Sequence, residues 1–125
     1  HKITGGGWDM DKSFHPPYGK FEVEIVDPDH PGVEGVSDFV TNDELYMGID
    51  YLKDSHIYMQ ATSDEGTHKW KGEQVYMPSD TFPLGWTRTY GSGKVFVTLL
   101  GHNGLSFQTP EFQRIVLNGI DWVNN

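Results

Sequence analysis

Between Trp86 and His102 the chain reads WTRTYGSGKVFVTLLGH, and its apolar side chains are gathered in one block. Val95 to Leu100 is a run of β-branched, aromatic and leucine residues without a charge, bounded by glycines on both sides. A short uncharged run of this composition predicts a strand buried on both faces. Upstream, Thr87 to Tyr90 has strand-forming composition, and Gly91-Ser92-Gly93 can supply the positive φ of a turn. Together they predict a hairpin over about residues 84–100.

Elsewhere the pattern changes period. Phe21 to Val26, FEVEIV, alternates apolar and acidic positions, which predicts a strand with Phe21, Val23 and Ile25 facing inward and the glutamates wet. Asp27-Pro28-Asp29-His30-Pro31-Gly32 ends it in a turn cluster. Phe39 to Tyr46 runs from apolar to acidic, His56 to Thr62 predicts another strand, and Val75-Tyr76-Met77 a short edge segment. The stretch SDEGTHKWKGEQ between them reads as a solvated loop containing His68 and Trp70. At the end, Thr109 is placed to cap a helix that has Pro110 at its first position and Glu111 in its first turn. Phe112, Ile115, Val116, Ile120 and Val123 recur at helical spacing, predicting one apolar face over about residues 110–123. One domain spanning residues 1–125 is expected, of class α+β or one part of an α/β sheet, with several short strands, a hairpin and a C-terminal helix.

Composition narrows the partners. The 125 residues hold nine basic and eighteen acidic side chains, a formal charge of −9, which argues against nucleic acid and anionic membrane surfaces. No apolar run approaches membrane-spanning length. A soluble protein acting on a neutral small molecule such as a sugar fits better, in a bacterial cytoplasm or, with a signal peptide removed, the periplasm or exterior. There is no cysteine, so thiol nucleophiles and disulfides are excluded. Neither a Gly-x-Ser-x-Gly elbow nor a glycine-rich phosphate loop is present, and Gly5-Gly6-Gly7 is too short for one.

What remains is histidine and carboxylate. His102 is delivered to the carboxyl end of the hairpin's second strand, the end at which open sheets tend to place ligands. His15, before Pro16 and Pro17, should have a rigid extended backbone, suited to a positioned ligand or catalytic group and equally to a ring packed in a loop. His30, also before a proline, is better explained by local turn hydrogen bonds than as a metal ligand. Asp43 and Glu44 are adjacent, so on an extended chain one faces a given pocket and the other caps or is solvated. The facing carboxylate can ligate a metal or orient an imidazole. An amino-terminal His1 can hold copper through its α-amine and ring nitrogen together with a second histidine.

Four blocks in order, FHPPYGKFEVEIVDPDHP, DELY, GWTRTYGSGKVFVTLLGHN and FQRIVLNGIDWV, resemble the second half of a ThuA-like domain, the trehalose-utilisation family related in fold to class I glutamine amidotransferases. The resemblance implies a flavodoxin-like α/β fold, of which this chain would be half, and handling of oxidised (3-keto) disaccharides or glycosides. It carries over His15, His30, Asp43, Glu44 and His102 as matching positions. The family's first half, with its glycine-rich turn and a further histidine, has no counterpart before His1, so a homodimer or a missing N-terminal half is expected to cover the apolar faces. Two mechanisms suit the set: a divalent transition metal, zinc or alternatively copper, on His15, His102 and Glu44, or proton transfer by His102 oriented by Glu44. Two other functions stay open. One is a copper-dependent oxidative polysaccharide enzyme built on His1. The other is a non-catalytic sugar-binding or interaction module whose Trp8, Tyr46, Trp70 and Trp86 stack on sugar rings.

Overall fold

The computed structural model describes residues 2–15, 19–77 and 79–125. In chain order the strands are β1 (Gly6–Gly7), β2 (Gly19–Ile25), β3 (Phe39–Asp43), β4 (Asp50–Tyr51), β5 (His56–Ser63), β6 (Gly66–Trp70), β7 (Glu73–Met77), β8 (Asp80–Tyr90) and β9 (Gly93–Thr98). A 3-10 turn at Pro31–Val33 follows β2, and two helices, α1 (Gly104–Phe107) and α2 (Pro110–Asn124), end the chain. Five strands make the main sheet in the order β3-β2-β5-β8-β9, while β1 pairs with β4 and β6 with β7. Every pairing among the described residues is antiparallel. The chain is mostly strand with few helices, which is the α+β side of the expectation; the parallel crossover units of a flavodoxin-like sheet are not among the described pairings.

The alternating stretch forms β2 with Val23 fully buried and Phe21 and Ile25 packed against the core. On the other face Glu24 accepts from Gln60 Nε2 at 3.0 Å and Thr62 Oγ1 at 3.1 Å, tying β2 to β5. The hairpin is β8 and β9, turning between Tyr90 and Gly93 with Gly91 at φ +59°. The expectation that Val95 to Leu100 is buried on both faces is corrected here: β9 is an edge strand of the sheet, and its apolar side chains are half-buried. Its Phe96 side meets α2, and its Val97 side pairs with Trp86. An apolar run without alternation is thus met by two different coverings, neither complete.

Helix α2 starts at Pro110 as expected, although Thr109 makes no side-chain capping bond. Its buried line is Phe112, Ile115 and Gly119, not the predicted stripe through Ile120 and Val123, which are 54% and 39% exposed. Gly119 lies against the Phe96 ring, so the helix approaches β9 through a residue without a side chain. The solvated loop expected around His68 is instead the hairpin of β6 and β7, closed by Lys71 at φ +49° and Gly72 at φ +81°. Two consecutive positive φ values match the right-handed twist of a two-stranded ribbon. Among the described residues no helix is long and apolar enough to cross a membrane.

Candidate functional site

Asp43 ends β3 with a side chain that is 1% exposed. A carboxylate this deep requires donors on its oxygens. It has three: the N–H of Glu44 at 2.8 Å, of Gly101 at 2.8 Å and of His102 at 3.3 Å. Gly101 adopts φ +109°, which side chains avoid, and this turn aims its N–H at Asp43. Asp43 therefore fixes the segment that carries His102, and the adjacent Glu44 is turned to other partners, as successive positions on an extended chain require.

Glu44 lies between two imidazoles. Its Oε2 is 3.1 Å from His102 Nδ1 and its Oε1 is 3.6 Å from His15 Nδ1, and its side chain is only 13% exposed against 45% for His102. Tyr46 donates its hydroxyl to Glu44 Oε2 at 2.8 Å. Burial, and then the bond to Glu44, push the Tyr46 hydroxyl up to about 12, so it remains a neutral donor at physiological pH. His15 reaches this place through an isolated bridge in which Phe14 and Met47 exchange both backbone bonds, at 3.1 and 2.8 Å. Ser13 supports the bridge by donating to the Gly48 carbonyl at 2.8 Å. A Cβ at Gly48 would fall 2.4 Å from the Lys12 carbonyl oxygen, so the close approach that sets His15 requires glycine there.

Among the described residues, three aromatic rings surround His15. Trp70 meets it edge-on with centroids 4.4 Å apart, Tyr46 at 5.5 Å and Trp8 at 6.1 Å, and Trp8 is also 5.9 Å from Tyr46 and 6.3 Å from Trp70. All are half-buried, which leaves ring surface for a ligand. Trp86 is not part of this wall. It is 1% exposed, in the core, with its indole N–H donating to the Thr4 carbonyl at 2.7 Å.

The other candidates are placed elsewhere. His30 follows the opposite end of β2 from the one that pairs with Asp43. Its Nδ1 accepts from Gly32 N at 2.9 Å, capping the 3-10 turn, and its Nε2 is 3.1 Å from Thr87 Oγ1. Both ring nitrogens of His30 are thus engaged by protein groups, one of them in the turn itself. His68 is on β6, paired across from Val75. His1, the copper candidate, lies outside the described residues, as do Pro16 and Pro17. Among the described residues no group of three or more His, Asp or Glu side chains is arranged to hold a metal ion. His15 Nδ1 and His102 Nδ1 stand 3.6 and 3.1 Å from the two different oxygens of the Glu44 carboxylate.

Sequence reasoning missed Asp43 as the clasp on Gly101 and His102, and Tyr46 as the donor to Glu44. It placed Trp70 in a loop. The signal for Trp70 was present in the alternation of His68 and Trp70 with Thr67 and Lys69, followed by a Lys-Gly turn.

Comparison with known proteins places the chain in a family. A ThuA-like protein from Parabacteroides merdae ATCC 43184 has a similar structure, with a TM-score of 0.71 at 23% identity over 98% of this chain and 48% of that one. A second, from Bacteroides uniformis ATCC 8492, gives a TM-score of 0.61 at 17% identity over 98% and 49%. At these identities the likeness is one of fold, and the chain spans about half the length of both proteins. No curated protein matches. The family model for ThuA, trehalose utilisation, matches residues 1–123, nearly the whole sequence, and the chain belongs to that family.

Proposed function

We propose that the chain acts on a carbohydrate, a glycoside or disaccharide carrying an oxidised (keto) carbon, by proton transfer at Glu44 and its two histidines. The observation that carries this reading is a screened carboxylate held between two imidazoles and a tyrosine hydroxyl beneath a wall of aromatic rings. Membership of a trehalose-utilisation family supports the sugar. The aromatic faces of Trp8, Trp70 and Tyr46 suit the C–H face of a sugar ring. A net charge of −9 suits a neutral substrate.

A keto group acidifies the hydrogen on the neighbouring carbon. His102, oriented through Nδ1 by Glu44, takes that proton at Nε2 while the C–H electron pair becomes the C=C bond of an enolate. Where the glycosidic oxygen stands β to the carbonyl, the enolate electrons return and the C–O bond breaks. The departing oxygen keeps that electron pair and gains a proton from His15, and exchange with water resets both imidazoles. Glu44 is a positioning residue in this scheme, and it stabilises the imidazolium formed at His102.

The test is exchange of the α-hydrogen of a 3-keto glucoside for deuterium, followed by NMR. Wild type should exchange it, and Glu44→Gln and His102→Ala should each slow exchange by about 100-fold. Folded wild-type protein without exchange, or unchanged exchange in both variants, would sink the proposal. Stoichiometric zinc that is lost on His102→Ala would replace it with the metal-assisted scheme.

A further inference from the structure

We infer that beside Glu44 the chain carries a subsite for a flat apolar aglycone, so that this centre prefers glycosides of aryl or similarly apolar alcohols to disaccharides. The inference rests on the reading of Glu44 as a carbohydrate centre. A pocket of about 410 Å³ shares Trp8 and Tyr46 with that centre. From those two rings it extends over Trp86, Val97 and Leu99 of the β8–β9 hairpin and its continuation, with Ile49 along the side. A group bonded to the anomeric oxygen of a sugar stacked on Trp8 and Tyr46 continues into this space.

The lining decides what that group is. Most of its side-chain polar groups are already paired within the protein: Trp86 Nε1 with the Thr4 carbonyl at 2.7 Å, Thr4 Oγ1 with the Gly6 carbonyl at 2.7 Å, and the Tyr46 hydroxyl with Glu44 at 2.8 Å, which leaves the Trp8 indole N–H as a donor at the entrance shared with the Glu44 centre. A second sugar ring entering here loses water from its several hydroxyls and finds few side-chain groups to replace it, which is costly. An aromatic or alicyclic ring loses nothing and covers Ile49, Val97 and Leu99. The pocket floor is thin where Gly6 lies: a Cβ there would fall 2.8 Å from Trp86 Cζ2 and 2.6 Å from the Asp50 carbonyl oxygen, so the backbone itself forms the wall.

Titration calorimetry on the intact protein, with phenyl and methyl 3-keto-glucosides of both anomers and with 3-keto-trehalose, tests this. The phenyl glucoside of the accepted anomer should bind about tenfold tighter than the methyl one and tighter than the disaccharide. Ile49→Asn should bring the phenyl-to-methyl ratio towards one. Val97→Thr, which keeps the side-chain shape, should do the same, guarding against a loop disturbed by the first change. Equal binding of phenyl and methyl glucosides, a disaccharide bound most tightly, or a phenyl preference unmoved by both substitutions would each overturn the inference and leave the Glu44 reading standing. If no sugar binds to folded protein, the Glu44 reading fails and the aglycone subsite fails with it.

Discussion

Asp43 and Glu44 are the same chemistry one position apart, and their surroundings give them separate tasks: one is spent on backbone N–H groups, the other meets imidazoles. Histidines divide in the same way. His30 is buried, and burial first, then the neighbouring His56, lower its imidazole below the ordinary value of 6.5 against an opposing pull from Asp27. The folded chain thus binds fewer protons at this ring than the unfolded chain. The sign follows: stability is undiminished above about pH 6.5 and falls as pH drops through and below it. Protonation also removes the lone pair that accepts from Gly32. In His30→Asn, whose side-chain oxygen can keep that cap, the fall in Tm between about pH 7 and pH 5 should become shallower. An unchanged slope would assign the pH dependence to other groups. Turn chemistry around His30 was legible from DPDHPG, because local hydrogen bonds depend on neighbours in sequence. The Glu44 pairings were not, because His15 and His102 reach it through the Phe14–Met47 bridge and the Asp43 clasp, contacts between distant parts of the chain.

Elements whose period was clear came through, and those whose covering was ambiguous did not. The alternation of β2, the β8–β9 hairpin and the start of α2 at Pro110 follow from local pattern. The buried side of α2 was misread because the bulkiest stripe is not the one that docks: Gly119 is buried and Ile120 exposed. That contact gives a sharp prediction. A Cβ on Gly119 would sit 2.5 Å from Phe96 Cδ1, and the Phe96 ring is itself stacked 4.8 Å from Tyr58. Alanine gains about 1 kcal/mol in helix propensity, whereas overpacking a filled contact costs about 1–3 kcal/mol. Gly119→Ala should therefore lower stability by about 1 kcal/mol, seen as an earlier denaturant midpoint. A later midpoint would mean that Phe96 turns aside freely.

At the scale of the molecule, composition indicated an acidic chain without thiols, and the blocks of sequence indicated a family that matches residues 1–123. The path of the sheet was not legible, since its order β3-β2-β5-β8-β9 depends on which distant strands meet. That path has a result for the site. β3 and β9 are the two edges of the sheet, yet Asp43 at the end of one holds the amides of the turn that follows the other, across 58 positions for Gly101. Closing so long a loop is entropically expensive and comes after local hairpins have formed. The Gly101 amide, though in no strand, should then exchange its hydrogen as slowly as those of β5 and β8, and at loop-like rates in Asp43→Ala. Fast exchange in the wild type would show the clasp opening on its own. A slow Gly101 ties the Glu44 centre to the cooperative unfolding of the sheet: the pairing of His102 with Glu44 and the pairing of the strands are then lost together along a single denaturation curve.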